Sequence, residues 1–186
     1  KSEQAMTTDI NWIKRMPLEE FLQIANPVER VILVDPAWKG SKNSGAGDSA
    51  AIAVVGMESV GVLTNRYVLD LVHSNLLGLQ EGIENIFSLM LKWETASVCP
   101  EEHVGYTFRA VLEDEARKRG VFLNLIDPKT KNQQKPNRIL AFVKQAQAGN
   151  VWLVDSCSDP EPFLCEFADF PQLDHDDALD AISYSC

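Results

Sequence analysis

Val31-Ile32-Leu33-Val34-Asp35-Pro36 is a continuous apolar, mostly β-branched run that ends on a carboxylate and a proline. Such a run lacks the in-out alternation of a half-exposed strand and predicts one covered on both faces of a sheet. An acid therefore stands where a central strand leaves the core. Beyond it, Ala37 to Gly47 is rich in Gly, Ser, Lys and Asn and predicts a loop, with Asp48 at its far end. Gly40 and Gly45 have P-loop spacing, but Ala46 and Gly47 stand where Lys and Ser or Thr are required, so no Walker A motif is present. Ser49 to Met57 and Arg66 to His73 predict two more strands around a turn at 59–65, and connections this short make the three consecutive strands antiparallel. On the other side, residues 1–30 mix polar positions with a short amphipathic piece, Leu18 to Ala25, between Pro17 and Pro27. They read as a linker with one short helix or as the end of a preceding domain, and a chain starting on Lys rather than Met suits an excised piece. The domain proper is expected over 31–186.

Leu79 to Trp93 has apolar residues at helical spacing. Thr95 to Glu102 predicts a short strand ending in Glu101-Glu102, followed by a helix through Arg119 that Gly120 stops. Val121 to Ile126 predicts a strand, Ile139 to Ala148 a helix stopped at Gly149, Val151 to Val154 a strand, and Pro162 to Phe170 a short helix. The order β-β-β-α-β-α-β-α-β-α-α describes an α/β fold, a mixed sheet with helices on its faces. If the first and fourth strands are neighbours, their terminal acids emerge side by side.

Near the C-terminus, Asp174-His175-Asp176-Asp177-Ala178-Leu179-Asp180 packs four carboxylates into seven residues. Acids three and four apart on a helix repel one another. Two readings remain open: Asp174 as an N-cap with Asp176 and Asp177 in a favourable first turn, or a divalent cation that turns repulsion into binding.

Composition narrows the classes. The 186 residues are 45% hydrophobic and 24% charged, enough for a real core and against disorder. No run approaches a membrane span and no secretory pattern opens the chain. Cys99, Cys157, Cys165 and Cys186 form no C-x-x-C pair and suit free thiols better than disulfides or zinc. With 17 Lys and Arg against 27 Asp and Glu, the net charge of −10 argues against a general nucleic-acid binder, though not against a local site. Lys129, Lys131, Lys135, Arg138 and Lys144 form the one sizeable basic stretch, with no acid between Asp127 and Asp155.

Several motifs in order resemble the nuclease domain of the large terminase subunit of tailed bacteriophages, within the ribonuclease H-like superfamily. They are Val31-Ile32-Leu33-Val34-Asp35-Pro36-Ala37 with Gly47-Asp48-Ser49-Ala50; Tyr67-Val68-Leu69-Asp70; Glu102-His103-Val104-Gly105-Tyr106; Lys135-Pro136-Asn137-Arg138 with Gly149-Asn150-Val151; and Phe170-Pro171 leading to His175-Asp176-Asp177-Ala178-Leu179-Asp180-Ala181. The resemblance runs from about Val31 to the end. It implies a ribonuclease H-like mixed sheet with helices on both faces and a metal-dependent endonuclease that cuts concatemeric double-stranded viral DNA during packaging. It implies that Asp35, Glu102 and Asp177, with Asp176 as the alternative to Asp177, hold two Mg²⁺ or Mn²⁺ ions. Glu101 is the rival to Glu102. Asp48, Asp174 and His175 are auxiliary candidates, while Asp70 is expected to be structural and Asp180 to cap or salt-bridge. Lys135, Arg138 and Lys144 are the candidates for gripping the DNA backbone. The implied partners are viral DNA, an ATPase domain of the full-length chain, the portal and the small terminase subunit, in the host cell cytoplasm. A junction resolvase or integrase-like nuclease of the same fold, and a non-catalytic docking module of the motor, are the competing readings.

Overall fold

The structure is a computed structural model that describes residues 7–38, 49–101, 105–128, 133–172 and 176–185. Its strands are β1 (Lys14–Met16), β2 (Val28–Asp35), β3 (Ala50–Val60), β4 (Leu63–Ser74), β5 (Ser97–Pro100), β6 (Asn124–Leu125) and β7 (Val151–Val154). Its helices are α1 (Leu18–Leu22), α2 (Leu79–Lys92), α3 (Gly105–Arg119), α4 (Lys135–Gln147), α5 (Glu161–Asp169) and α6 (Asp177–Ser183). From β2 onward the elements follow the order expected from the sequence.

The strands form one sheet in the order β1-β7-β4-β3-β2-β5-β6. β2, β3 and β4 are an antiparallel meander, as their short connections require, and β5 joins β2 in parallel on the other side. Counted from β2, the first and fourth strands are therefore neighbours, the condition under which their terminal acids emerge side by side. Successive residues of β2 turn to opposite faces. Val31 and Leu33 enter a core with Ile139, Phe142, Phe163, Phe167, Leu179 and Ile182 of α4, α5 and α6. Ile32 and Val34 enter a second core with Ile83, Ile86, Phe108 and Leu112 of α2 and α3. Two covered faces explain why β2 is apolar without alternation.

The structure extends the sheet beyond what the sequence suggests. Residues expected as linker contribute β1, which pairs in parallel with β7 at Lys14↔Trp152, Arg15↔Leu153 and Met16↔Val154. Ile13 and Phe21 are buried in the two cores, and the Thr8 hydroxyl donates to the Phe167 carbonyl at 2.8 Å. An edge strand with Lys14 and Arg15 exposed has no apolar alternation by which to be read. Conversely, the strand expected over Val121 to Ile126 shrinks to two residues. Gly120 turns the chain with φ +65°, and Val121 and Phe122 stay exposed.

At the end of β2, Trp38 folds back onto α2 and α3, its ring 5.4 Å from Phe108. A Cβ on Gly82 would come within 2.3 Å of that ring, so only glycine admits it there. β4 carries a bulge where its pairing with β3 shifts between Val54 and Val55. There Asp70 turns toward the C-terminal end of α2, accepting from Lys92 Nζ at 2.6 Å and Trp93 Nε1 at 3.1 Å. Among the described residues no helix is long and apolar enough to cross a membrane.

Candidate active site

Asp35 continues the face of Val31 and Leu33, so its carboxylate looks toward α6. The parallel register Ile32↔Val98, Leu33↔Cys99, Val34↔Pro100, carried one step further, sets Glu101 beside Asp35. The Glu101 N–H donates to the Val34 carbonyl at 2.9 Å, which extends the ladder to that point. Across β3 the neighbour of Asp35 is Ala51, and across β4 the neighbour of Ala51 is His73. Glu101, Asp35, Ala51 and His73 thus form a row over four strands, with the small, buried Ala51 leaving room between the polar side chains.

Helix α6 lies over this row, seated by Ala178, Leu179, Ala181 and Ile182, all fully buried. Its start is fixed from two sides. Glu166 of α5 accepts from the Leu179 N–H at 2.6 Å and the Ala178 N–H at 3.4 Å, satisfying donors that a helix start leaves open. Asp177 Oδ2 accepts from the Ser49 N–H at 3.1 Å, which ties the helix to the beginning of β3. His73 Nε2 lies 3.9 Å from Glu166 Oε1. Lys135, opening α4, places Nζ 2.7 Å from Asp176 Oδ1 and 3.2 Å from Asp180 Oδ2. Arg138, one turn on, pairs with Asp180, donates to Ser183 Oγ at 3.1 Å and stacks 3.9 Å over the Tyr184 ring. The Tyr184 hydroxyl donates to Glu101 Oε1 at 2.8 Å and closes the circle.

The electrostatics follow from this crowding. Burial, then the charges of Glu101, Asp180 and Asp177, push the Asp35 carboxyl up to about 9, with Lys135 opposing. Burial raises Asp177, offset by the Ser49 N–H, Lys135 and His73. Burial also raises Asp180 against the pull of Lys135 and Arg138. Glu166 is pushed up to about 7, chiefly by burial, with the two α6 N–H groups resisting. Burial works to lower the Lys135 ammonium, but Asp180 and Asp176 outweigh it and hold the group above its ordinary range. Acids outnumber bases here, and the Asp35 carboxyl carries much of the cost.

Of the residues named from sequence, Asp35 feels the charges of Asp177 and Lys135, and Lys135 pairs with Asp176. Asp180 is buried and ion-paired, as expected, yet its charge also reaches Asp35. Arg138 corrects the sequence reading: it is 5% exposed, and its guanidinium is committed to Asp180, Ser183 and Tyr184 rather than turned outward to DNA. Lys144 is exposed toward the far end of α4, roughly 14 Å along the axis from Lys135. Glu102, Asp48, Asp174 and His175 lie outside the described residues, whereas the rival Glu101 lies beside Asp35. Sequence reasoning missed Glu166 and His73. Glu166 does leave a signal, an acid on the apolar stripe Phe163, Leu164, Phe167 of α5.

Among the described residues no three His, Cys, Asp or Glu side chains are grouped closely enough to hold a metal ion. The donor set nevertheless fits a hard divalent cation. Carboxylate oxygens are what Mg²⁺ and Mn²⁺ take, and like charges around a buried Asp35 are relieved by a cation between them.

No protein-family model and no curated protein matches the chain. Solved structures do resemble it. The nuclease domain of the P22 large terminase superposes with a TM-score of 0.64 at 13% identity, covering 95% of this chain and 87% of that one. The human cytomegalovirus terminase nuclease domain, Mn-soaked and inhibitor-bound, gives 0.63 at 12% identity, with 95% and 89% covered. The large terminase nuclease of thermophilic phage G20c gives 0.52 at 13%, with 96% and 97% covered. The chain therefore has the ribonuclease H-like α/β fold of large terminase nuclease domains.

Proposed function

We propose that this chain is a metal-dependent endodeoxyribonuclease, the nuclease domain of a viral DNA-packaging terminase that cuts concatemeric double-stranded DNA. The observation that supports it best is the setting of Asp35, a buried carboxylate at the exit of a central strand, surrounded by Glu101, Asp177 and Asp180 and pushed up to about 9 by burial and by their charge. A protein gains no stability from such a cluster. The arrangement makes sense as a receptor for positive charge.

Asp35 with Asp177 or Asp176, and Glu102 with Glu101 as its rival, would hold two Mg²⁺ or Mn²⁺ ions. Bound there, such ions supply the charge that activates water and stabilises the departing 3′ oxygen of a phosphodiester. The chain's own residues do the orienting. Glu166 and Ser49 fix the start of α6, which keeps the Asp177 charge within reach of Asp35. Arg138 and Tyr184 brace Asp180 and Glu101 from behind. Asp48, Asp174 and His175 belong to the proposal as auxiliary residues, and exposed Lys144 as a backbone contact that positions DNA without reading its sequence. An ATPase domain of the full-length chain, the portal and the small terminase subunit are the partners in this reading, in the host cell cytoplasm.

The test is plasmid cleavage with Mn²⁺, with Mg²⁺ and with chelator, beside folded Asp35→Ala and Asp177→Ala proteins. Metal-dependent cutting by the parent that both variants lose is the expected result. No cutting with either ion, and no Mn²⁺ binding, would return the acids to helix capping and favour a docking module.

A further inference from the structure

We propose that Lys135 is the site's own exchangeable cation: its ammonium rests on Asp176 and Asp180 while metal is absent, and ion loading releases it to a DNA phosphate. Duplex binding then follows ion loading instead of preceding it. The inference rests on the metal-nuclease reading above and specifies how that site would regulate its substrate.

Two basic residues of α4 serve the acid cluster, and they are built differently. Arg138 is buried and held by three separate partners, Asp180, Ser183 and the Tyr184 ring. Lys135 has a side chain 41% exposed, and its partner Asp176 is 26% exposed. A lysine ammonium is a point charge on a flexible stem, whereas a stacked guanidinium in a fixed fork stays where it is set. If Lys135 leaves, Asp180 keeps Arg138, so no buried charge is stranded. Only Asp176 loses its partner, and Asp176 is one of the acids that an incoming ion would claim.

Charge supplies the drive. A divalent cation beside Asp35 and Asp177 repels an ammonium already drawn to the same acids and competes for the Asp176 oxygen. The displaced ammonium needs a new anion within reach of its stem, and a phosphate of bound DNA provides one. The same arithmetic explains why DNA should not come first. The chain carries −10 overall, and with Lys135 spent on carboxylates the mouth of the site offers DNA a repulsive surface.

The experiment measures Mn²⁺ affinity by titration calorimetry, and affinity for a short duplex by fluorescence anisotropy at constant ionic strength, in chelator and in Ca²⁺, an ion chosen to load the site without supporting cleavage. Parent, Lys135→Met and Lys135→Arg are compared, with folding checked by circular dichroism. Lys135→Met is expected to bind Mn²⁺ about tenfold more tightly without DNA, because a competing cation is gone. Ca²⁺ should raise the parent's duplex affinity about tenfold, and Lys135→Met should lose most of that gain while Lys135→Arg keeps part of it. On the parent itself, acylation of Lys135 by an amine-reactive ester, followed by mass spectrometry, should quicken when Ca²⁺ is added, which keeps the idea testable if a variant fails to fold. Unchanged Mn²⁺ affinity in Lys135→Met, an unchanged Ca²⁺-induced gain, or acylation indifferent to Ca²⁺ overturns the role of Lys135 while parental Mn²⁺ binding and plasmid cleavage leave the nuclease reading standing. A parent that binds no Mn²⁺ and cuts nothing overturns both.

Discussion

Two aspartates are buried on adjoining parts of one sheet, Asp35 at 8% exposure and Asp70 at 3%, and they could hardly be treated more differently. Asp70 accepts from Lys92, from the Trp93 indole and from the Leu71 N–H, so its charge is met by a cation and two neutral donors. Asp35 meets Glu101, Asp177 and Asp180, with Lys135 the opposing charge among them. A buried acid with its partners supplied is a structural lock. A buried acid ringed by its own sign is no strut, and this contrast in partners, more than burial, is what supports the proposed cation site.

The comparison breaks first on activity. Asp35→Asn should lower Mn²⁺-dependent plasmid cleavage by a factor of about a thousand or more if Asp35 is the charged metal ligand proposed above. Asp70→Asn, once shown to be folded, should leave cleavage within a few-fold of the parent. Metal-linked stability comes next. Mn²⁺ at a hundred times its dissociation constant should stabilise the parent by about 2.7 kcal/mol in urea unfolding, stabilise Asp70→Asn equally, and protect Asp35→Asn much less. Without metal the ranking reverses: Asp70→Ala should cost about 2 kcal/mol, because it strands the Trp93 N–H and Lys92, whereas Asp35→Asn should be neutral or stabilising.

A pH series sharpens the same contrast. Asp35 rises from an ordinary 3.8 to about 9 in the folded metal-free chain, so between those values the folded state holds a proton that the unfolded state has released. Its stabilising contribution is full below about pH 4 and lost as pH climbs through about 9. Glu166, raised to about 7, acts in the same direction. The urea midpoint in chelator should therefore fall from pH 5 to pH 9.5, and Asp35→Asn should flatten the slope while Asp70→Asn does not. An unchanged slope in Asp35→Asn would mean that other groups carry it. The smallest effect belongs to Lys144→Ala, a loss of about two- to threefold in duplex affinity that shrinks as salt is added.

What was legible in the sequence was whatever depends on neighbours in the chain. Val31 to Val34 announces a doubly covered strand, and the spacing of Leu79, Ile83, Ile86, Phe87 and Met90 announces α2. Gly120 and Gly149 end their helices with positive φ, as their type suggests. The element order followed from such signals, while the adjacency of β2 and β5 entered only as a condition that the sheet fulfils. What depends on distant partners stayed hidden. β1 carries no alternation, because an exposed edge needs none. Arg138 looks like Lys135 and Lys144 in a basic run, and only the packing of α4 on α6 turns it inward. Glu101 and Glu102 are adjacent acids, and the choice between them is a question of strand register, which no local pattern encodes.

The bulge in β4 bears on all of this. Leu69 lies in the core beneath α2, and Asp70 reaches Lys92 and Trp93 on that same side, although consecutive strand residues ordinarily point opposite ways. The extra residue shifts the phase of the strand by one step before Leu71 and His73 resume the rhythm toward α6. Were β4 regular through this stretch, Asp70 would be delivered to the acid-rich side, and His73 would be turned away from it. One irregular residue thus acts as a sorting gate for charge, sending one carboxylate to brace the frame and keeping it apart from the acids gathered around Asp35.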